Sequence, residues 1–174
     1  IARCFPAAAP HINCGTDSLA SLGTRPYMIE EPQVVMNSPG TPTHREVVIP
    51  SDLAAVRQLQ NEIEELLQAS QYGEMEIFGI KMATEEALVN AVKHGNQLDP
   101  NKNVAVIYSV SPSHFEIKIT DEGPGFDPED VPDPTAPENL ERPCGRGLLL
   151  MRSFMSAVQF HGRGNSITMS KSKG

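Results

Sequence analysis

The sequence predicts an α+β fold, a two-layer sandwich in which one sheet carries helices on one of its faces. Three observations support this prediction. Short runs of alternating apolar and polar residues indicate five strands, and longer runs with apolar residues at helical spacing indicate three helices. Their order is one strand, two helices, two strands, a long proline-rich loop, one helix and two strands. Strands and helices therefore do not alternate as they do in α/β proteins.

Residues 1–44 differ from the rest of the 174-residue chain, and we expect them to form an extended arm or linker. They contain six of the 15 prolines, few large apolar residues and no sustained hydrophobic period. Such a segment does not bury enough apolar surface to offset the entropy lost when its backbone is ordered. The folded domain is therefore predicted over residues 45–174.

The first strand and the first helix of this domain have clear sequence boundaries. Residues 45–49 alternate and stop at Pro50, which lacks the N–H group that the interior of a strand requires. Either Ser51 or Asp52 is able to cap the following helix, because both side chains accept hydrogen bonds from its first backbone N–H groups. Apolar residues then recur at helical spacing through about Ala69.

A longer helix and a hairpin are predicted next. The helix covers about residues 74–94 and is ended by Gly95 and Asn96 as a C-cap pair. Two alternating runs follow, residues 104–110 and 115–120, separated by a short polar loop. Two strands joined by so short a loop predict an antiparallel β-hairpin.

The second half of the domain begins with a segment that has no regular period. Residues 121–144 contain six prolines, so they form no long helix or strand. A loop of this length inside a compact domain is commonly functional. Helical spacing returns over residues 148–155, and two short strands, 158–160 and 166–170, close the chain as a second hairpin.

Composition narrows the class of function. The chain has a formal net charge of −8 and a pI near 5.1, so we expect no direct contact with nucleic acid or with an anionic membrane surface. No apolar run approaches the roughly 18 residues of a transmembrane helix, and no signal-peptide pattern opens the sequence. The three cysteines are widely spaced, which disfavours a disulfide framework or a zinc site. We therefore expect a cytoplasmic protein.

Two glycine-rich motifs bracket the proline-rich loop. Residues 121–125 (Asp-Glu-Gly-Pro-Gly) follow a strand, and residues 145–147 (Gly-Arg-Gly) precede a helix. Glycines at the end of a strand let the backbone approach a ligand closely, and N–H groups at a helix N-terminus can hold phosphate. The second motif lacks the third glycine and the preceding strand of a dinucleotide fingerprint, so we exclude a Rossmann interpretation.

The long helix carries a third candidate group. Glu86 and Asn90 are four residues apart and therefore share one face of the helix, with His94 one turn further along. A carboxylate and a carboxamide suit Mg²⁺, which prefers oxygen ligands and is often shared with substrate phosphates. Taken alone, the same pattern is also typical of a solvated helix face.

Together, these three segments resemble the N, G1 and G2 boxes of the GHKL ATPase and kinase superfamily. They are residues 84–95 (Thr-Glu-Glu-Ala-Leu-Val-Asn-Ala-Val-Lys-His-Gly), 121–125 and 145–147, in the order of the family. The resemblance spans about residues 45–171 and is strongest to the anti-sigma-factor serine kinases of the RsbW and SpoIIAB type. It implies the Bergerat form of the predicted fold, with a mixed, mainly antiparallel sheet and a lid formed by residues 122–146.

The resemblance implies that ATP and Mg²⁺ are bound, and it assigns roles to individual residues. Glu86 corresponds to the general base that accepts a proton from the attacking serine or water. Asn90 corresponds to the Mg²⁺ ligand, and Asp121 to the acceptor for the adenine amino group. The other residues implied in nucleotide binding are Lys93, His94, Gly123, Gly125, Gly145, Gly147 and Thr168.

Three arginines are candidates for contacts with phosphate or with a partner. Arg142 lies where the resembling kinases carry a lid arginine, but the run after it is one residue longer than usual. Arg146 is therefore an alternative for the charge on the γ-phosphate. Arg57, on the first predicted helix, aligns with an arginine that contacts the anti-anti-sigma partner in the resembling kinases.

The resemblance implies a protein serine kinase that phosphorylates a STAS-type anti-anti-sigma protein, with sequestration of a sigma factor as a further role. It also implies a homodimer, for which the edge strand around Val47 offers a pairing surface. The alternative is a non-catalytic module that binds nucleotide and switches between partners. The presence of Glu86 argues against that alternative, because a protein that only binds nucleotide needs no general base.

Overall fold

A computed structural model describes residues 42–127 and 146–174 of the chain. Most of the predicted N-terminal arm lies outside the described residues. The same holds for residues 128–145, which include two predicted site residues, Arg142 and Gly145.

The described residues form five strands and three α-helices in the predicted order. Their bounds are β1 Thr43–Pro50, α1 Leu53–Ala69, α2 Glu74–Asn90, β2 Asn103–Val110, β3 His114–Asp121, α3 Arg146–Phe154, β4 Ala157–His161 and β5 Ser166–Ser172. Strand β1 begins at Thr43, so it includes the last two residues that we had expected in the arm. Among the described residues, no helix is both long and apolar enough to cross a membrane.

The five strands form one sheet in the order β1-β2-β3-β5-β4. Every neighbouring pair of these strands is antiparallel. The predicted α+β fold is confirmed, and the described part of the sheet is wholly antiparallel where a mixed sheet had been expected. Short turns account for the antiparallel pairs β2–β3 and β4–β5, whereas the antiparallel pairs β1–β2 and β3–β5 are joined by longer connections that contain helices.

The inner face of the sheet packs against the helices. Alternate residues of β2 and β3 are buried, as period-two patterning requires of a sheet covered on one face. Helix α1 supplies a buried stripe at spacings of three and four residues, formed by Val56, Leu59, Ile63 and Leu67. In β3 the last residue, Asp121, pairs with the buried Val104 of β2 and therefore belongs to the inner face.

The start of α1 resolves the choice between two capping residues. Asp52 is the N-cap, and its Oδ1 accepts a hydrogen bond from the N–H of Ala54 at 3.1 Å. The buried Ser51 instead donates its hydroxyl to the carbonyl of Lys102 at 2.8 Å. Ser51 therefore ties the start of α1 to the segment that leads into β2.

The helix predicted over residues 74–94 is observed as α2 followed by one π-helical turn, Ala91–Gly95. It therefore ends within one residue of its predicted end. The fully buried Asn96 follows it and forms three hydrogen bonds of 2.8 Å. Its amide donates to the hydroxyl of Ser51 and to the carbonyl of Asn103, and its carbonyl oxygen accepts from the N–H of Glu122. Asn96 thereby joins this helix end to α1, to β2 and to the residue after β3.

Candidate functional site

Glu86 and Asn90 meet on one face of α2, as their spacing predicts. The amide nitrogen of Asn90 donates a hydrogen bond to Glu86 Oε1 at 3.1 Å, and both side chains are half-buried. This hydrogen bond uses the amide hydrogens of Asn90 and leaves its carbonyl oxygen for a cation. The pair thus places a carboxylate base and a potential metal ligand next to each other.

The start of α3 lies directly against this pair. A Cβ atom at Gly147, the buried second residue of α3, would overlap the carboxylate of Glu86. The free N–H groups of a helix N-terminus favour anions, so the beginning of this nine-residue helix offers donors for phosphate close to Glu86. Arg146, the first residue of α3, is exposed beside Gly147.

Asp121 forms a second polar centre at the end of β3. Its Oδ1 accepts a hydrogen bond from the N–H of Gly123 at 2.8 Å. A Cβ atom at Gly95 would overlap the Asp121 carboxylate, and one at Gly123 would overlap the carbonyl oxygen of Gly95. The π-helical turn, the end of β3 and the following loop therefore approach one another at a distance that only glycine permits.

Burial sets the electrostatics of Asp121. It raises the pKa of this carboxyl, and four donors or cations oppose the shift: the N–H of Gly123, the guanidinium of Arg163, the N–H of Asp121 itself and the ammonium of Lys102. A half-buried carboxylate that keeps accepting oxygens is suited to receive a hydrogen bond from an exocyclic amine. Shifted carboxyl groups of this kind are typical of functional sites.

Lys93 and His94 lie between the two centres along the chain. Burial lowers the pKa of the His94 imidazole, and the negative charge of Glu86 acts in the opposite direction. The ring is therefore neutral at pH 7, because its pKa lies below the ordinary value of 6.5. Lys93 is exposed and borders a groove that also reaches Glu86.

The structure does not bring Thr168 to Asp121. Thr168 pairs with Lys118 of β3, so it lies on the outer face of the sheet, whereas Asp121 belongs to the inner face. Its hydroxyl contacts the exposed His161 ring at 3.0 Å. A role for Thr168 in binding adenine would require it to lie on the same face of the sheet as Asp121. The register of β5 against β3 places it on the other face.

Sequence reasoning missed two residues that hold the Asp121 segment. Asn165 donates its amide to the main-chain carbonyl of Asp121 at 2.8 Å, and Arg163 donates to the carbonyl of Gly123 at 2.7 Å. Both lie in the turn between β4 and β5, for which we predicted no role beyond joining the two strands. Their signal in the sequence is weak, because Gly-Arg-Gly-Asn is also an ordinary hairpin turn.

The two polar centres together suit a purine nucleotide with its phosphates. Asp121 offers a charged acceptor between closely packed glycine backbone segments, and the start of α3 offers phosphate donors near Glu86 and Asn90. Within residues 42–127 and 146–174, no cluster of three His, Cys, Asp or Glu side chains suits a metal. A cation at Asn90 would therefore need further ligands from phosphate oxygens and water, as Mg²⁺ in nucleotide sites has.

Replacing Gly95 by Ala is expected to weaken nucleotide binding by about 10-fold or more, because the new Cβ displaces the Asp121 carboxylate. Titration calorimetry with ATP and Mg²⁺ measures this change. Gly73→Ala is the matched control, since a Cβ there only touches Glu76 at 3.4 Å and φ is −69°. Equal affinities for Gly95→Ala and the wild type would show that nucleotide binding does not depend on the close contact between Gly95 and the Asp121 carboxylate.

Comparison with known proteins places this site in a family. Residues 49–171 match the histidine kinase-like ATPase domain. The serine-protein kinase RsbW of Oceanobacillus iheyensis is 32% identical over 99 residues, which make up 53% of this chain and 63% of that protein. An anti-sigma F factor of Clostridium perfringens is 32% identical over 102 residues, 55% of this chain and 72% of that protein. An anti-sigma F factor of Halalkalibacterium halodurans is 40% identical over 88 residues, 48% of this chain and 59% of that protein.

A solved structure has the same fold. It contains the RsbU and RsbW domains of a Mycobacterium tuberculosis protein and superimposes with a TM-score of 0.53 at 18% identity, covering 78% of this chain and 33% of that one. The fold prediction and the resemblance to RsbW-type anti-sigma-factor kinases are confirmed by these matches. Because the family match covers more than half of the chain, this protein belongs to the histidine kinase-like ATPase domain family.

Proposed function

We propose that this chain is an ATP-dependent protein serine kinase of the anti-sigma-factor type. The observation that carries the proposal is the position of Glu86, which is hydrogen-bonded to Asn90 and packed against Gly147 at the start of α3. A carboxylate held beside a phosphate-binding helix end is placed to accept a proton from a hydroxyl that attacks the terminal phosphate. The names of the similar kinases RsbW support the same reaction class.

In this proposal the nucleotide is held at both polar centres. The Asp121 carboxylate accepts a hydrogen bond from the adenine amino group, and Gly95 and Gly123 allow the adjoining backbone to lie close to this carboxylate. The N-terminal N–H groups of α3 bind phosphate oxygens, and Arg146 is the described arginine nearest to them in the chain. Asn90 would hold Mg²⁺ through its carbonyl oxygen, and the bound cation would offset the charge of the phosphates.

Phosphoryl transfer then needs one proton acceptor and one partner hydroxyl. The seryl oxygen of the partner bonds to the γ-phosphorus as the bond to the β–γ bridging oxygen breaks, and ADP leaves with that electron pair. Glu86 accepts the seryl proton. Its hydrogen bond from Asn90 keeps the carboxylate oriented during this step.

The groove beside Glu86 is where we propose that the partner approaches. It has a volume of about 390 Å³ between α1 and α2, and its lining includes Arg57, Lys93 and Glu86. Arg57 is exposed on α1, where it is free to contact an incoming protein surface. We propose a STAS-type anti-anti-sigma protein as the substrate and a sigma factor as a second partner.

The assembly and location of the kinase are part of the same proposal. We propose a homodimer that pairs through the edge strand β1, where Val48 is 62% exposed. An ATP-dependent switch acting on sigma factors belongs in the cytoplasm.

Incubation of the purified chain with γ-labelled ATP, Mg²⁺ and candidate STAS proteins tests the proposed reaction. We expect label on a serine of one STAS protein and none when Mg²⁺ is removed with a chelator. Nucleotide binding without transfer to any of the partners would contradict the kinase proposal and support the non-catalytic module instead. Calorimetry with ATP alone separates these two outcomes.

The same assay tests the proposed docking groove. Arg57→Glu is expected to raise the KM for the STAS partner while leaving the affinity for ATP unchanged, because Arg57 lies on α1, which carries none of the residues proposed to hold the nucleotide. Lys118→Glu on the outer face of the sheet is the matched charge reversal. Equal KM values for the wild type and Arg57→Glu would remove Arg57 from the partner surface.

A further inference from the structure

The turn between β4 and β5 crosses the loop that follows Asp121. Arg163 Nη2 donates a hydrogen bond to the carbonyl of Gly123 at 2.7 Å. Asn165 and Asp121 exchange two further bonds, from the Asn165 amide to the Asp121 carbonyl at 2.8 Å and from the Asp121 N–H to the Asn165 carbonyl at 3.0 Å. The backbone on either side of the Asp121 carboxylate is therefore held by this turn.

Two glycines allow the turn and the loop to touch along their backbones. Gly125 has φ +78°, and a Cβ there would overlap the carbonyl oxygen of Arg163. Gly164 has φ +84°, and a Cβ there would overlap the carbonyl oxygen of Phe126. Phe126 and Phe160 extend the contact with an edge-to-face ring pair at 5.2 Å. Residues 123–126 of the loop after β3 are therefore packed against this turn along their backbone.

Charge gives Arg163 a second role at the same point. The cationic groups that act on the Asp121 carboxylate are Arg163, from the β4–β5 turn, and Lys102, from the segment before β2. The guanidinium of Arg163 has the larger effect of the two in lowering the pKa of Asp121. Burial favours the protonated carboxyl of Asp121, which is a weaker hydrogen-bond acceptor than the carboxylate. The charge of Arg163 opposes this effect.

We propose that Arg163 is a positioning residue for adenine recognition, because it fixes the Gly123 carbonyl and places a permanent positive charge beside the Asp121 carboxylate. The proposal rests on the nucleotide-binding function proposed above. It assigns the turn between β4 and β5 a part in selecting the base. Asn165 shares in holding the backbone but carries no charge.

An arginine that only stabilised a turn would alter folding stability but not the titration of Asp121. The test therefore compares Arg163→Gln, which removes the charge, with Arg163→Lys, which keeps it. Arg152→Gln is the control, because Arg152 is an exposed arginine on α3 and its replacement removes the same charge from a different element. Thermal unfolding establishes that each variant is folded.

Two measurements are made on each variant. Carbon-detected NMR follows the titration of the Asp121 carboxyl in the nucleotide-free protein, and calorimetry gives the Kd for ATP between pH 5 and 8. In Arg163→Gln, we expect the Asp121 titration to move to higher pH and the Kd at pH 7 to rise about 10-fold. The pH below which ATP binding weakens should move in the same direction. Arg163→Lys should restore most of the titration but less of the affinity.

Each outcome has a separate meaning. An unchanged Asp121 titration in Arg163→Gln contradicts the proposal, even if the Kd rises, because Arg163 would then have only a structural role. An unchanged Kd in a variant with a shifted titration contradicts it as well. If the wild type binds no ATP, the proposed function fails, and the NMR titration still reports whether Arg163 acts on Asp121.

Discussion

Glu86→Gln is expected to lower phosphoryl transfer by about 10²- to 10⁴-fold, the usual contribution of a general base. The amide has the shape of the carboxylate, and its oxygen still accepts the hydrogen bond from Asn90, but it takes up no proton at neutral pH. ATP affinity should therefore stay close to that of the wild type. Single-turnover transfer of labelled phosphate to the STAS partner measures the rate, and calorimetry measures the affinity.

Glu116→Gln is the matched control for this experiment. Glu116 lies on β3 with its side chain on the outer face of the sheet, away from Glu86 and Asn90. The control should transfer phosphate at the wild-type rate. Full activity in Glu86→Gln would mean that Glu86 is not the base.

Asp121→Asn is expected to raise the Kd for ATP by about 10- to 150-fold, the loss of one hydrogen bond to a charged acceptor. The asparagine oxygen still accepts from the N–H of Gly123, but its NH₂ group faces the adenine amino group as a second donor. Asp99→Asn is a suitable control, because Oδ1 there continues to accept from the N–H of Asn101. Equal affinities for Asp121→Asn and the wild type would remove Asp121 from the base-binding site.

Asp121→Asn should weaken ATP binding but increase the stability of the folded protein at neutral pH. Burial raises the folded-state pKa of Asp121 above its ordinary value of 3.8, so the folded state favours the protonated carboxyl. The stability that this group contributes is fully present below pH 3.8 and is lost as the pH rises through the folded-state pKa. Relative to the wild type, Asp121→Asn should therefore gain unfolding free energy as the pH rises from 3 to 7. Urea denaturation at several pH values measures this, and a constant difference would contradict it.

Helix and strand positions were predictable because local periodicity decides them. Helix α1 begins and ends within a residue of its prediction, since its apolar stripe, its N-cap candidates and the break after Ala69 all act within a few residues. The two hairpins follow from alternation and short polar turns in the same way. The π-helical turn was not predictable, because it depends on Asn96 being held by Ser51, Asn103 and Glu122.

In the candidate site, too, contacts between residues close in sequence were predictable, whereas contacts that depend on strand register or on distant segments were not. The contact between Glu86 and Asn90 follows from helix geometry, which brings residues four apart onto one face. Thr168 was placed by alignment alone, and strand register puts it on the face opposite Asp121. Arg163 gave only a weak signal, because its contact with Gly123 joins segments 40 residues apart.

By itself, the sequence determined the fold class, the order of the elements and the residues of the three motifs. Those features depend on the local period of apolar residues, on turn-forming residues and on residue type, which can all be read from the sequence without the tertiary structure. Only the tertiary structure decided that the start of α3 lies on Glu86, that Gly95 and Gly123 pack against Asp121, and that Arg163 holds the loop after Asp121. These contacts arise from packing between distant segments, where one additional Cβ atom would already overlap its neighbours.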